Sequence, residues 1–195
     1  MNRQDIWDLV RRALLLDDDA FEEIRAEDSF TALSLGAAAG AVFLAGIGAW
    51  LFGLVVLDGT PDGWFVDTVF LGSFFTLALF AAGAAITYLL MTRVFQIDDV
   101  PVDEFARVIL FTHAPYGLGL FVFLPEIGFT IGMLSIVAVF FYSVYGLGVA
   151  FRGESRLGVA VSVLAGLVFW LLVITLISGP GSNYATGVFV FSLID

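Results

Sequence analysis

The stretch ALSLGAAAGAVFLAGIGAWLFGLVVL, residues 32–57, decides the fold because it runs for 26 positions without a charged residue. About 20 apolar residues are enough for a helix to cross a hydrocarbon core about 30 Å thick. The chain is 60% hydrophobic, above the roughly 45–50% that is usual for soluble domains. Four further uncharged runs lie at 68–92, 108–125, 127–151 and 157–179. We therefore predict an all-α integral membrane protein, a bundle of five transmembrane helices in one domain.

A charged segment, residues 1–30, precedes the first run and lacks the features of a cleaved signal peptide, so we expect the first span to stay as an anchor. Within it, residues 4–16 have apolar side chains at helical spacing, which predicts a short amphipathic helix. That helix either lies in the membrane interface or packs on the protein's own helix ends. A second short helix follows, with Asp19 as its N-cap. The apolar face consists of Ile6, Leu9, Val10, Ala13 and Leu14.

The basic residues predict the orientation of a membrane domain formed by residues 31–179. All eight are arginines, and with five spans they fall on one side of the membrane. The positive-inside rule then places the N-terminus in the cytoplasm of a multi-pass cell-membrane protein and the C-terminus outside. The tail at 180–195 either caps the outer face or covers a neighbouring protein. The arginines are Arg3, Arg11, Arg12, Arg25, Arg93, Arg107, Arg152 and Arg156.

The net charge of −11 restricts the partners. Fourteen of the nineteen acidic residues lie on the same predicted side as the arginines, so that side has no basic patch for nucleic acid or anionic lipid. An acidic surface without lysine suits a cytoplasm with enough salt to screen its self-repulsion, which indicates a halophilic source.

The types of residue in the chain argue against an enzyme. The chain has one histidine and no cysteine, and the five predicted spans contain no Asp or Glu. A catalytic dyad or triad needs more partners than this, and so does a metal site. We therefore expect no enzyme activity, no catalytic residue, no metal and no cofactor.

The stretch FTHAPYGLG, residues 111–119, contains the single histidine, His113, inside the third run. At about 1.5 Å per residue, His113 lies about 8 Å from the arginine-bearing side. Three polar residues of other spans fall at nearly the same depth, which predicts an intramembrane polar layer. Pro115 lacks an N–H group and is expected to kink the third helix. Alternatively, His113 only satisfies that kink and the tyrosines belong to the aromatic belt. The predicted layer consists of Tyr88, His113, Tyr145 and Ser162.

Glycines at close spacing predict helix packing in lipid. The tetrapeptide YGLG occurs at 116–119 and again at 145–148, and we expect these two segments to approach each other. The GAAAG motif at 36–40 more often reflects packing inside a protein than oligomerisation. The packing candidates are Gly117, Gly119, Gly146, Gly148, Gly36 and Gly40.

Three stretches resemble the Yip1 domain family and together extend over roughly residues 8–178. They are LLLDDDAFEEIRAEDSFTAL (14–33), DEFARVILFTHAPYGL (103–118) and LPEIGFTIGMLSIVAVFFYSVYGLGVAFRGESRLGVAVSVL (124–164). The resemblance implies five spans with a cytoplasmic N-terminus. Eukaryotic members act in vesicle trafficking and bind Rab-type GTPases, whereas only about 30 residues precede the first span here.

These observations predict a non-enzymatic scaffold or adaptor that binds another membrane protein, or a second copy of itself, and influences membrane organisation or trafficking. The alternative is a small transporter or channel, or an accessory subunit of one, with His113 in its path. A transport role needs a continuous polar-lined cavity through the bundle, and a scaffold does not.

Overall fold

The computed structural model describes residues 3–57, 60, 62–97, 100–151, 155–177 and 187–193. The described residues form helices and no strand. Five of these helices are long and apolar enough to cross a membrane, which confirms the predicted all-α bundle. Their bounds are Asp28–Val56, Val66–Val94, Val102–Phe123, Gly128–Ala150 and Arg156–Ile177.

Two short helices precede the spans, α1 (Arg3–Leu14) and α2 (Asp18–Ala26). Asp17, and not the predicted Asp19, caps α2, since its carboxylate accepts a hydrogen bond from the Ala20 N–H at 3.2 Å. The reason is that α1 ends in a tight turn at Leu16, which makes Asp17 the first residue able to cap.

The remaining α-helices are α3 (Thr31–Val56), α4 (Gly72–Leu89), α5 (Val102–Phe111), α6 (Gly128–Ala150) and α7 (Arg156–Ile177). A short 3₁₀ turn, Asp28–Phe30, leads into α3, and π-helical turns extend α4 at Val66–Leu71 and Leu90–Val94.

The third span begins at Val102, six residues before its predicted start, and it changes helix type part-way. After α5 the chain continues as a 3₁₀ helix, Ala114–Phe123. A 3₁₀ helix rises about 2.0 Å per residue against about 1.5 Å for an α-helix, so this segment adds length to a short span. Pro115 therefore lies in a change of helix type, whereas the sequence predicted a bend within one α-helix.

Consecutive spans run in opposite directions. Asp28 at the start of the first span pairs with Arg107 near the start of the third at 2.6 Å. Arg25, directly before the first span, bonds the Ala150 carbonyl at the end of the fourth. The described arginines all belong to this side of the bundle, which we call the arginine end. Arg152 lies outside the described residues.

A 3₁₀ helix, Gly187–Leu193, closes the opposite end. Val188 and Val190 are buried among the spans, and Phe191 contacts Phe52 with 5.0 Å between ring centroids. Of the two interpretations of the tail, the described part therefore matches the first, since it caps this chain's own bundle at the end opposite the arginine end.

Candidate functional site

A small cavity lies between α4, α5, α6 and α7, with His113 in its wall. Its volume is about 30 Å³, which is room for about two water molecules. On α4 the lining reaches from Thr87 to Phe80, about 10 Å of helix and a third of a hydrocarbon core. The cavity, which we call the chamber, opens partly to the outside of the bundle and covers only part of the membrane thickness.

The His113 side chain bonds a free backbone carbonyl at the C-terminal end of α5. The His113 N–H bonds the Leu110 carbonyl, which leaves the Ile109 carbonyl without its α-helical partner. Two side chains replace that partner: His113 Nδ1 at 2.6 Å and the Thr112 hydroxyl at 2.8 Å. A carbonyl only accepts, so Nδ1 donates, and Nε2 of the neutral ring is an acceptor. This geometry matches the alternative in which His113 satisfies a break in the helix.

Hydroxyl groups around the cavity are bonded in local pairs. Thr112 and Ser143 on α6 share a hydrogen bond of 2.9 Å. Thr87 donates to the Gly83 carbonyl of its own helix at 3.0 Å and to the Ser162 carbonyl of α7 at 3.2 Å. These bonds hold adjacent helices together.

Aromatic rings form the wall toward the capped end. The ring of Phe80 lies 4.3 Å from that of His113 and 5.0 Å from that of Trp170, measured between centroids. Trp170 is buried, and its indole N–H has no hydrogen-bond partner among the described residues. Both Trp170, with a donor, and His113, with an acceptor, line the chamber, which suits a molecule such as water that can bond both.

The predicted layer of four residues is corrected by these contacts. The Tyr88 hydroxyl bonds the Val100 carbonyl at 3.2 Å, and the Ser162 hydroxyl bonds Gly158 of its own helix at 2.8 Å. The Tyr145 hydroxyl donates to the Leu16 carbonyl at 2.6 Å. Each of these hydroxyls bonds a backbone carbonyl, and none of the three residues lines the cavity with His113. The sequence offered no signal for the residues that line the cavity with His113, namely Thr87, Ser143 and Trp170, or for Thr112, which bonds Ser143.

The two YGLG segments do not pack on each other. A Cβ at Gly117 would lie 3.4 Å from Ala41 of α3, and one at Gly119 would lie 2.7 Å from Ala45. Gly146 instead faces Phe21, whose ring would be 2.8 Å from an added Cβ. The thin 3₁₀ helix therefore uses its glycines to approach α3, and α6 uses Gly146 to receive α2.

Three predicted packing glycines face open space. A Cβ at Gly36, Gly40 or Gly148 would meet no atom within 4 Å. Packing inside the protein, the use that we predicted for the GAAAG motif, is therefore wrong, because Gly36 and Gly40 point away from the bundle.

A charge network that the sequence did not reveal lies at the arginine end. The buried Arg107 guanidinium bonds the Arg25 carbonyl at 3.0 Å, Asp28 at 2.6 Å and Asp103 at 3.2 Å. Arg25 in turn bonds Ala150 at 2.7 Å and pairs with Glu104 at 3.5 Å. The spacing of Asp103 and Arg107, four residues apart on one helix, was the available signal. The network connects α2 to three spans.

No group of three or more His, Asp or Glu side chains within the described ranges could hold a metal ion.

No family model, no curated protein and no solved structure matches this chain.

Proposed function

We propose that this chain is a non-enzymatic scaffold or adaptor of the cell membrane, and that α3 binds a transmembrane helix of its partner. The observation that supports this proposal is the outward position of Gly36 and Gly40, each with open space where a side chain would be. In lipid, small residues four positions apart let two helices approach closely, so van der Waals packing between them becomes effective.

The neighbours of these glycines suit a helix partner. Leu35 and Leu44 are exposed beside them and would form the rims of a shallow channel along α3. The fold itself does not use this channel, because its close glycine contacts lie elsewhere. One joins Gly83 to Gly166, where an added Cβ at Gly83 would lie 2.9 Å from the Gly166 carbonyl, and another joins Gly48 of α3 to the 3₁₀ segment at Gly119.

The cavity supports a scaffold over the alternative transporter or channel. A transport path needs polar groups across the whole membrane, and the chamber at His113 extends along about a third of it. The hydroxyls in its wall are bonded to carbonyls or to each other, so they hold helices together and leave few groups to bind a moving ion.

The partner belongs to the same membrane and is another membrane protein or a second copy of this chain. We further propose that the arginine end is cytoplasmic, following the positive-inside rule, and that the acidic surface is an adaptation to high salt. Five spans preceded by two short helices also support membership of the Yip1 domain family.

Affinity purification from native membranes, in mild detergent and high salt, tests the proposal. The tagged wild-type chain is compared with Gly36→Leu and Gly40→Leu, which fill the channel without touching the bundle. Gly148→Leu is the matched control, since its added side chain also enters open space but on α6. Mass and stoichiometry identify the partner.

We expect a stoichiometric partner with the wild type and with Gly148→Leu, and its loss with both α3 variants. Equal recovery from all four chains would overturn the proposed surface. A wild-type chain that purifies alone as a monomer would overturn the scaffold function itself.

A further inference from the structure

The first helix, α1, has three faces. One packs on the bundle, one is charged, and the third is mostly apolar and exposed. Leu9 and Ala13 are buried against the bundle. On one flank Arg12 pairs with Asp8 at 3.1 Å and with Glu23 of α2 at 2.8 Å. The hydrogen bond to Glu23 raises the pKa of Arg12, so this flank is charged and tied to α2.

The opposite flank is apolar except for Arg11, and no described residue covers it. The Trp7 side chain is 74% exposed. Leu14, two helical turns later on the same face, is 45% exposed, and Leu15 is 71% exposed. With Val10 and Arg11 they line an open groove of about 390 Å³. Apolar side chains of this size at the end of a membrane bundle need a nonpolar environment.

Two tyrosines of α6 fix the depth of this flank. The Tyr142 hydroxyl donates to the Leu14 carbonyl, and the Tyr145 hydroxyl lies 2.6 Å from the Leu16 carbonyl. These tyrosines precede the last residue of α6, Ala150, by eight and five positions, or about 12 and 7.5 Å of helix. The end of α1 is therefore held level with the last two turns of a membrane span.

The end of α6 that holds α1 also has an exposed apolar side chain. Phe141, the neighbour of Tyr142, is 62% exposed on the outside of the bundle. On α1, Asp8 and Arg12 lie on the other flank, but the exposed Arg11 lies on this one beside Trp7 and Leu14. An arginine can bury its methylene stem against apolar surface while its guanidinium stays in water or at the headgroups.

Leu16 has a backbone conformation that favours glycine. Its φ is +60°, and the turn is closed by hydrogen bonds from the Leu16 N–H to Ala13 and from the Asp17 N–H to Arg12. Helices commonly end in this way with glycine at that position. A leucine there costs about 1 kcal/mol of strain, and its apolar side chain is exposed on the same side of the bundle as Leu14 and Leu15.

We propose that the apolar flank of α1, formed by Trp7, Leu14, Leu15 and Leu16, is immersed in lipid, in the leaflet at the arginine end. The ligand is the acyl-chain and glycerol region of the protein's own membrane. Immersion depends on apolar area, and the adjacent Asp17, Asp18 and Asp19 make it independent of anionic headgroups. The N-terminal helices then form a wedge in one leaflet, beside the spans.

Site-directed spin labelling tests this placement cleanly, because the chain contains no native cysteine. Trp7→Cys and Leu15→Cys are labelled, and the full chain is reconstituted in phosphatidylcholine vesicles with and without phosphatidylglycerol. Collision with oxygen, which concentrates in the bilayer, is compared with collision with a water-soluble nickel chelate. Asp8→Cys on the charged flank is the matched control, and Leu172→Cys, exposed within α7, is the lipid reference.

We expect the Trp7 and Leu15 labels to favour oxygen, as Leu172 does, in both lipid mixtures, while the Asp8 label favours the nickel chelate. Labels at Trp7 and Leu15 that favour nickel would place the flank in water and overturn the proposal. Protection from both reagents would overturn it in favour of a protein cover. Dependence on phosphatidylglycerol would contradict the apolar basis of the contact.

Discussion

Thr87 on α4 donates its hydroxyl hydrogen to the Ser162 carbonyl on α7 across 3.2 Å, beside a close backbone contact between two glycines. A Cβ at Gly83 would lie 2.9 Å from the Gly166 carbonyl, and one at Gly166 would contact the Gly83 carbonyl and the Thr87 hydroxyl. Backbone atoms cannot move aside as side-chain ends do, so this pair of helices requires glycine at both positions.

Gly83→Ala and Gly166→Ala are therefore expected to lower the free energy of unfolding by about 1–3 kcal/mol, the usual cost of overpacking. Thermal unfolding in detergent measures the loss. Gly148→Ala, where the added Cβ meets nothing within 4 Å, should show none. Equal behaviour of the three variants would contradict the close α4–α7 contact.

The bond between His113 and Ile109 predicts that two substitutions of His113 differ in their cost in stability. His113→Asn keeps an N–H donor near the position of Nδ1, whereas His113→Phe fills the space and leaves the Ile109 carbonyl with the Thr112 hydroxyl alone. We expect His113→Phe to cost about 1 kcal/mol of stability and His113→Asn to cost less. Unfolding midpoints of both variants check this, and a more stable His113→Phe would remove the capping role.

Replacing Arg107 is expected to lower the stability of the protein markedly, although in the sequence Arg107 looks like an ordinary surface charge. Arg107→Met removes the bonds to the Arg25 carbonyl and to two carboxylates. Asp28 and Asp103 are exposed and can be hydrated, so the expected loss of about 1–3 kcal/mol comes mainly from the unsatisfied carbonyl and the loosened α2.

Thermal unfolding and proteolysis between α2 and the first span report this loss. Arg11→Met, at an exposed arginine of α1, is the control and should behave as the wild type. An Arg107→Met chain as stable and as protease-resistant as that control would show that the network does not hold the N-terminal helices.

Leu16→Gly should separate folding from membrane contact. Glycine accepts a φ of +60° without strain, so we expect unfolding in detergent to be unchanged or shifted upward by about 1 kcal/mol. In vesicles, the oxygen preference of a label at Leu15→Cys should fall in the same chain. A loss of stability in detergent would mean that the Leu16 side chain supports the fold.

Much of the architecture could be predicted because each uncharged run is long enough for one interpretation only. The third span was the exception: the sequence indicated a helix that begins near Asp103, but its charges placed the start of the span at residue 108, whereas Asp103 and Arg107 are paired in the structure. Pro115 indicated an interruption, but whether a helix bends or changes type depends on how closely it approaches α3, and sequence does not give that distance.

The polar layer could not be predicted, because counting residues gives depth and not direction around the helix. In a span that is apolar on every side, no hydrophobic face tells which way Tyr88 or Ser162 points. Serine and threonine also bond the carbonyl four residues earlier, as Ser162 bonds Gly158, which satisfies them without a partner helix. The outward Gly36 and Gly40 were missed for the same reason.

Flux measurements in proteoliposomes test the central claim, a scaffold whose chamber does not extend across the membrane. The purified chain and its His113→Asn and His113→Phe variants are reconstituted, and proton, sodium and potassium flux under an imposed potential is followed with trapped indicators. We predict the same flux for all three chains as for protein-free vesicles. Flux well above that level in the wild type, lost in His113→Phe, would contradict the claim and make this chain a conduit through His113.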